Sequence, residues 1–213
     1  MAQTASTHAA FWDRMARKYR AQPISDMTAY QQTLDRVITY LSPTSRALEL
    51  GCGTGGTALE LAPYLGEIVA TDYSAGMIAQ AEARDGAENV RFLHADVFDG
   101  ALEPGAFDVV MAFNLLHLVD DIDAVLARIH ALLPPGGLFI TKSPCLGEPR
   151  LGFKFGLMRR MIPLMQLVGK APYVRYDTIA ALEARIAQAG FDIVETGNYP
   201  VRPPNHFVVA RRP

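Results

Sequence analysis

Residues 47–57 read ALELGCGTGGT, and the three glycines spaced through this stretch settle the fold. Gly51, Gly53 and Gly56 fit G-x-G-x-x-G, the turn by which a parallel strand passes into a helix while leaving room for a ligand against the backbone. On that spacing alone the ligand is a dinucleotide, and the chain reads as a nicotinamide or flavin enzyme. Glu49, two residues before Gly51, argues otherwise. A carboxylate facing the loop repels a pyrophosphate and favours a ligand that carries an ammonium group and a sulfonium. The loop is therefore read as a seat for a cationic amino acid joined to adenosine.

Outward from this loop the pattern alternates strand and helix. Short apolar runs at 47–50, 68–71, 90–93, 108–113 and 138–141 predict strands, and helices are predicted to begin near Thr54, Ser74 and Asp121. Such alternation means a parallel sheet covered on both faces. Ahead of it, a polar tail precedes two helices, 11–19 and 26–41, the second capped by Ser25 or Asp26. LLPPGG at 132–137 closes a helix and delivers the chain into the fifth strand. The rhythm then breaks at 147–176, an insertion rich in Met and Phe that carries Arg150, Lys154, Arg159, Arg160, Lys170 and Arg175. A helix over 177–189 follows, stopped by Gly190. The ending, FDIVETGNYP and HFVVARRP, reads as two strands joined by a proline-containing turn and antiparallel to each other.

Bulk composition narrows the classes. The chain has 213 residues, half of them hydrophobic, enough for one domain with a sizeable core. With 20 basic against 22 acidic residues it has no polycationic field to gather nucleic acid. The opening MAQTASTHAA lacks the apolar core of a secretory signal, and no long apolar run is free of charge, so a cytoplasmic protein without integral membrane association is expected. Cys52 and Cys145 are too few for a disulfide scaffold or a cysteine-rich zinc site, and no metal is expected.

In an open parallel sheet, ligands sit beyond the carboxyl ends of the strands. Glu49, Asp72, Asp96 and Asn114 all fall at or just after such ends. Asp72, about twenty residues past Gly51, is placed to accept from both hydroxyls of a ribose, or else to cap the following helix. Asp96 is placed to accept from an adenine amine, with Val97 beside it, or else to form a bare turn.

Taken in order, ELGCGTGG, VATDYS, HADVFD, FDVVMAFNLLHLVDD and LLPPGGLFITKSP resemble the motifs of the class I S-adenosylmethionine-dependent methyltransferases, of the small-molecule type. The resemblance covers 45–141 and extends to the closing strand pair. It implies an α/β, Rossmann-like three-layer sandwich, with a mostly parallel seven-stranded sheet, an antiparallel C-terminal strand and helices on both faces. It implies one domain: a helical cover over 1–44, a cofactor-binding core over 45–142, the insertion over 147–176 above the acceptor site, and a final helix and strand pair over 177–213. It also implies S-adenosyl-L-methionine as cofactor, with S-adenosyl-L-homocysteine as product. Glu49, Gly51 and Gly53 match contacts to the methionine portion, Asp72 the ribose carboxylate with Tyr73 beside it, Asp96 and Val97 the adenine site, and Asn114 the flank of the reaction chamber. Cys52, Met77 and Leu115 complete the expected cofactor contacts. Tyr19 resembles a tyrosine that closes on the cofactor carboxylate, and Trp12 lines the same lid or packs inward.

Methyl transfer from a sulfonium needs alignment and the exclusion of water more than dedicated catalytic groups. For an ionisable acceptor, His117, three residues after Asn114, is the candidate base. His94 is weighed as packed or capped, and Lys142 and Ser143, after the fifth strand, as facing the acceptor cleft or as exposed loop polarity. After the fourth strand stands NLLH, where amino-methylating nucleic-acid enzymes carry an Asn- or Asp-Pro-Pro-aromatic run, so a small-molecule acceptor is expected and nucleic acid is not. The insertion points to an apolar or amphipathic acceptor, with peripheral membrane contact or self-association as alternatives, the protein being a monomer or homodimer. Two other readings stand beside methyl transfer: a NAD-dependent oxidoreductase, and a non-catalytic S-adenosylmethionine-binding regulatory or partner protein.

Overall fold

Strand β1, Arg46–Leu50, sends Leu48 and Leu50 to one face of a sheet and Ala47 and Glu49 to the other, and every neighbouring strand repeats the alternation. The computed structural model describes residues 2–149, 151, 153–167 and 169–213, with only the backbone described for 2–8, 153–155 and 157–159. Arg150 and the side chains of Lys154 and Arg159, counted above among the cations of the insertion, lie outside the described residues.

The remaining strands are β2 (Glu67–Asp72), β3 (Val90–His94), β4 (Val109–Phe113), β5 (Leu138–Pro144), β6 (Asp192–Asn198) and β7 (Asn205–Arg211). They form one sheet in the order β3-β2-β1-β4-β5-β7-β6. The first five run parallel, and β7 pairs antiparallel with both β5 and β6. Helices α2 (Met27–Ile38), α3 (Gly56–Leu61) and α4 (Ala75–Glu82) cover the face carrying Ala47, Ile68, Val109, Met111, Ile140 and Phe207. Helices α5 (Ile122–Leu132) and α7 (Ile179–Gln188) cover the face carrying Leu48, Val69, Val110, Phe139 and Val208. Fully burying one such side chain is worth roughly 1.5–3 kcal/mol, so two packed faces explain why nearly unbroken apolar strands are parallel here. The Rossmann-like, three-layer architecture implied by the motifs is the architecture found.

Local signals placed the helix starts. Asp26 caps α2 by accepting from Ala29 N at 2.9 Å, Ser74 caps α4 from Met77 N at 3.1 Å, and Asp121 caps α5 from Ala124 N at 3.0 Å. The polar tail, however, is part of α1, Ala2–Ala21, because its alanines carry the helix back from the segment that docks on α4. β5 runs three residues beyond 141, held by its antiparallel partner β7. The insertion contains α6, Phe153–Leu167, with Pro163 inside it.

The glycine motif also differs in detail from its spacing. Gly51, Gly53 and Gly55 have positive φ, whereas Gly56 is the first residue of α3. A Cβ on Gly55, at φ 74°, would stand 2.6 Å from the Phe92 ring and 2.9 Å from the Ala81 Cβ, so this glycine lets α3 and α4 close on the sheet. On Gly56 a Cβ would meet only the Arg84 guanidinium, at 3.7 Å. Gly55→Ala should therefore cost about 2–4 kcal/mol from left-handed strain and overpacking. Gly56→Ala should be neutral or stabilising by up to about 1 kcal/mol. Equal urea midpoints for the two variants would contradict this division of roles.

Candidate active site

The sheet order reverses direction between β1 and β4, and the carboxyl ends of β1, β2 and β4 meet there. Residues 51–55 are pinned across this point. Cys52 N donates to Thr71 O at 2.9 Å, Gly55 N to Cys52 O at 3.0 Å, and Gly53 N to Asp72 Oδ2 at 2.9 Å. The second oxygen of Asp72 accepts from Ser74 N at 2.9 Å. Asp72 does not itself cap α4, since Ser74 does; its carboxylate instead joins the two loops. Burial pushes its pKa up, against the two amides that favour the charged form. Each of its oxygens retains a lone pair for a ligand hydroxyl.

Helix α1 is held over these loops by Asp13. Its Oδ1 accepts from Ser74 Oγ at 2.6 Å and Gly76 N at 2.8 Å, bonds that lower its pKa, and Arg20 donates to Gln80 O at 2.6 Å. Trp12 and Tyr19 are thereby set edge to face, 6.2 Å apart, above the loop. Burial raises the Tyr19 phenol, and the nearby Asp72 and Glu49 carboxyls add to it. Asp96 accepts from Phe98 N at 2.9 Å, a turn that presents Val97 and Phe98. Asn114 adopts φ 53°, and its Oδ1 accepts from Asn205 Nδ2 at 3.1 Å.

These parts enclose a cavity of about 510 Å³. Of the residues proposed from sequence, Tyr19, Gly51, Gly53, Asp72, Tyr73, Met77, Asp96, Val97, Asn114 and Leu115 line it. Trp12 lines it as well. Glu49 and Cys52 do not reach the surface of the cavity: both are buried behind the loop. Glu49 Oε2 has no hydrogen-bond partner, and burial, reinforced by the charge of Asp72, pushes its carboxyl up to about 8. A Cβ on Gly51 would meet Leu115 Cδ1 at 2.8 Å, so at this position the close neighbour is a leucine of the same wall.

His117 is not in this cavity. The short turn Leu116–Leu118 places it in a separate cavity of about 10 Å³ with Ser143, Cys145 and Asp177. There its Nδ1 is buried without a partner, and burial lowers its pKa to about 4. The expected base is thus neutral and walled off. Lys142 Nζ donates to Thr33 Oγ1 at 3.0 Å on the α2 side, so it does not face the acceptor cleft either. Among the described residues, none of 147–176 lines the main cavity. Residues not singled out from sequence do, including Phe98, Phe113, Leu118, Val119, Asp120 and Val125. Leu118, Val119 and Asp120 fall in the run NLLHLVDD, whose apolar residues read equally well as core.

Residues 47–137 match the family model of a methyltransferase domain. Over this stretch, less than half of its length, the chain is similar to methyltransferase domains. An uncharacterised methyltransferase of Mycobacterium tuberculosis is 32% identical over 116 residues, 54% of this chain. The chain spans only 58% of that relative's own length. Among solved structures, the DhpI–SAH complex superposes with TM-score 0.75 at 20% identity, over 100% of this chain and 98% of that one. An S-adenosylmethionine-dependent methyltransferase from Mesorhizobium loti gives 0.68 at 20% identity, over 87% of this chain and 98% of that one. Both share the fold. The matched methyltransferase domain holds the glycine loop, Asp72, Asp96 and Asn114; α1 with Tyr19, and the β6–β7 pair, lie outside it.

Glu49 gives the fold a measurable pH signature. Its pKa rises from an ordinary 4.5 to about 8 on folding, so between these values the folded state holds the extra proton and stability falls as pH rises. Relative to Glu49→Gln, the wild type should lose up to about 1.4 kcal/mol per pH unit across this window. Parallel stability profiles for the two proteins, from urea unfolding at stepped pH, would show that Glu49 is not held protonated.

Proposed function

We propose that this chain transfers a methyl group from S-adenosylmethionine to a small, apolar or amphipathic acceptor. The observation that carries the reading is Asp72, buried at the tip of β2 with each oxygen anchored by a backbone amide and open to the cavity. The residues present fit the cofactor. Two free acceptor positions on one rigid carboxylate suit a ribose diol. The unpartnered oxygen of Glu49, held behind the loop, suits a cationic amino-acid end reached through water. A cavity of about 510 Å³ falls within the range for small-molecule sites, about 300–1,000 Å³.

When bound, the cofactor supplies a methyl group activated on a sulfonium. The chain's own residues then position and exclude water. In this reading Gly51 and Gly53 let the backbone approach the methionine portion, and Met77 and Leu115 enclose it with Cys52 packed behind. Asp96 accepts from the adenine amine, and Tyr73, Val97 and Phe98 provide apolar contact. Tyr19 and Trp12 close the cavity from α1, and Asn114, oriented by Asn205, flanks the acceptor. Alignment of this kind is worth effective molarities of about 10⁵ M or more. With His117 walled off, the acceptor supplies its own lone pair without a base from this position. The setting proposed is the cytoplasm; among the described residues no helix is long and apolar enough to cross a membrane.

Calorimetry should show binding of S-adenosylmethionine and S-adenosylhomocysteine, and none of nicotinamide dinucleotides. Asp72→Ala should weaken that binding by about 1.5–3 kcal/mol, roughly tenfold or more. Tight dinucleotide binding without response to the methyl donor would replace the reading with an oxidoreductase. Donor binding without label transfer to any component of a metabolite extract would leave a regulatory binding protein.

A further inference from the structure

The solvent face of α6 is apolar where a surface helix is ordinarily polar. Ile162 and Gln166, one turn apart, are half-buried and mark the inner face. Opposite them Met161 is 51% exposed, Leu164 65%, Met165 37% and Leu167 84%. Arg160 lies exposed among them and Lys170 lies exposed just beyond the helix. From 151 to 176 the sequence has Lys154, Arg159, Arg160, Lys170 and Arg175 and not one Asp or Glu, in a chain whose net charge is −2. Arg175 is paired with Asp177 at 3.0 Å, and Arg160 and Lys170 are the cations of this stretch whose described side chains lie exposed on or beside α6.

The segment is also tied to two walls of the cavity. Arg14, on α1 between Trp12 and Tyr19, donates to Gly169 O at 3.3 Å. Arg175 N donates to His117 O at 2.7 Å, and Arg175 Nη1 to Asp120 O at 3.1 Å, beside the apolar turn that includes Leu118 and Val119. Whatever α6 rests on is therefore brought next to the site.

We propose that the outer face of α6 docks the chain on an anionic phospholipid surface, and that the acceptor is an amphipathic molecule drawn from that surface. The second part rests on the methyl-transfer reading above; the first does not. A basic helix with an apolar face seats that face in the headgroup boundary while its cations meet lipid phosphates. Fifteen residues are too few to span a bilayer, which needs about 20. A second copy of the chain is the poorer occupant. A two-fold contact through this face would set its cations against their own copies without an acidic residue to neutralise them.

The test is flotation of the full chain with vesicles of phosphatidylcholine alone or with about 30 mol% phosphatidylglycerol, at low and high salt. The protein should float with the anionic vesicles, not the neutral ones, and salt should release it. Arg160→Gln and Lys170→Gln should each weaken partitioning about fivefold, and Leu164→Glu should abolish it. Far-UV circular dichroism checks that each variant is folded. Absence of flotation, or flotation unchanged by all three substitutions, would overturn the docking face, as would a dimer in sedimentation that Leu164→Glu dissociates. Donor affinity is measured on the same samples. Flotation without donor binding would sink methyl transfer and leave the docking face standing, and the reverse result would do the opposite.

Discussion

One carboxylate holds the site together. Asp72 takes Gly53 N on one oxygen and Ser74 N on the other, so the loop that enters α3 and the turn that enters α4 share a single anchor at the end of β2. Asp13 repeats the device one layer out, taking the Ser74 hydroxyl and Gly76 N and so fixing α1 across the top. A chain of polar contacts thus runs from β1's loop to the cover helix, with Ser74 as its middle link. Together with the Arg20 bond to Gln80 O, it sets Trp12 and Tyr19 over the cavity.

The same arrangement sets two carboxyls, Glu49 and Asp72, in one buried region where the charge of Asp72 adds to burial in making Glu49 harder to ionise. Asp72 is offset by amides. Glu49 has only the backbone of Ala58 against burial and a like charge, and one of its oxygens has no partner. Unpartnered buried oxygens are costly, and this one lies directly behind a ligand loop. The fold carries a local cost at this oxygen.

The sequence made much of this legible, for identifiable reasons. Apolar runs broken by glycine and Asp or Ser caps gave the layers and the helix starts, since period and caps are local properties. Strand-end carboxylates pointed to the cavity because a parallel sheet gathers its carboxyl ends. What escaped depended on direction across space. His117 follows Asn114 by three residues, yet a short turn swings it behind the wall. Glu49 alternates to the same side as Ala47 and so sits behind the loop it was expected to face. Phe98 and Val125 line the cavity only because the 96–98 turn and α5 converge there. Gly55 outranks Gly56 through contacts with Phe92 and Ala81, residues more than twenty positions away.

Strand β7 lies between β5 and β6, although it follows both in the sequence. Strand β6, made before it, has no other neighbour among the described residues and cannot join the sheet until β7 arrives. Until then β5 presents an open row of amides and carbonyls beside an apolar face, the kind of edge that recruits foreign strands. Asn205, the first residue of β7, also supplies the hydrogen bond to Asn114. Closing the sheet therefore also fixes the side chain of Asn114, which lines the cavity.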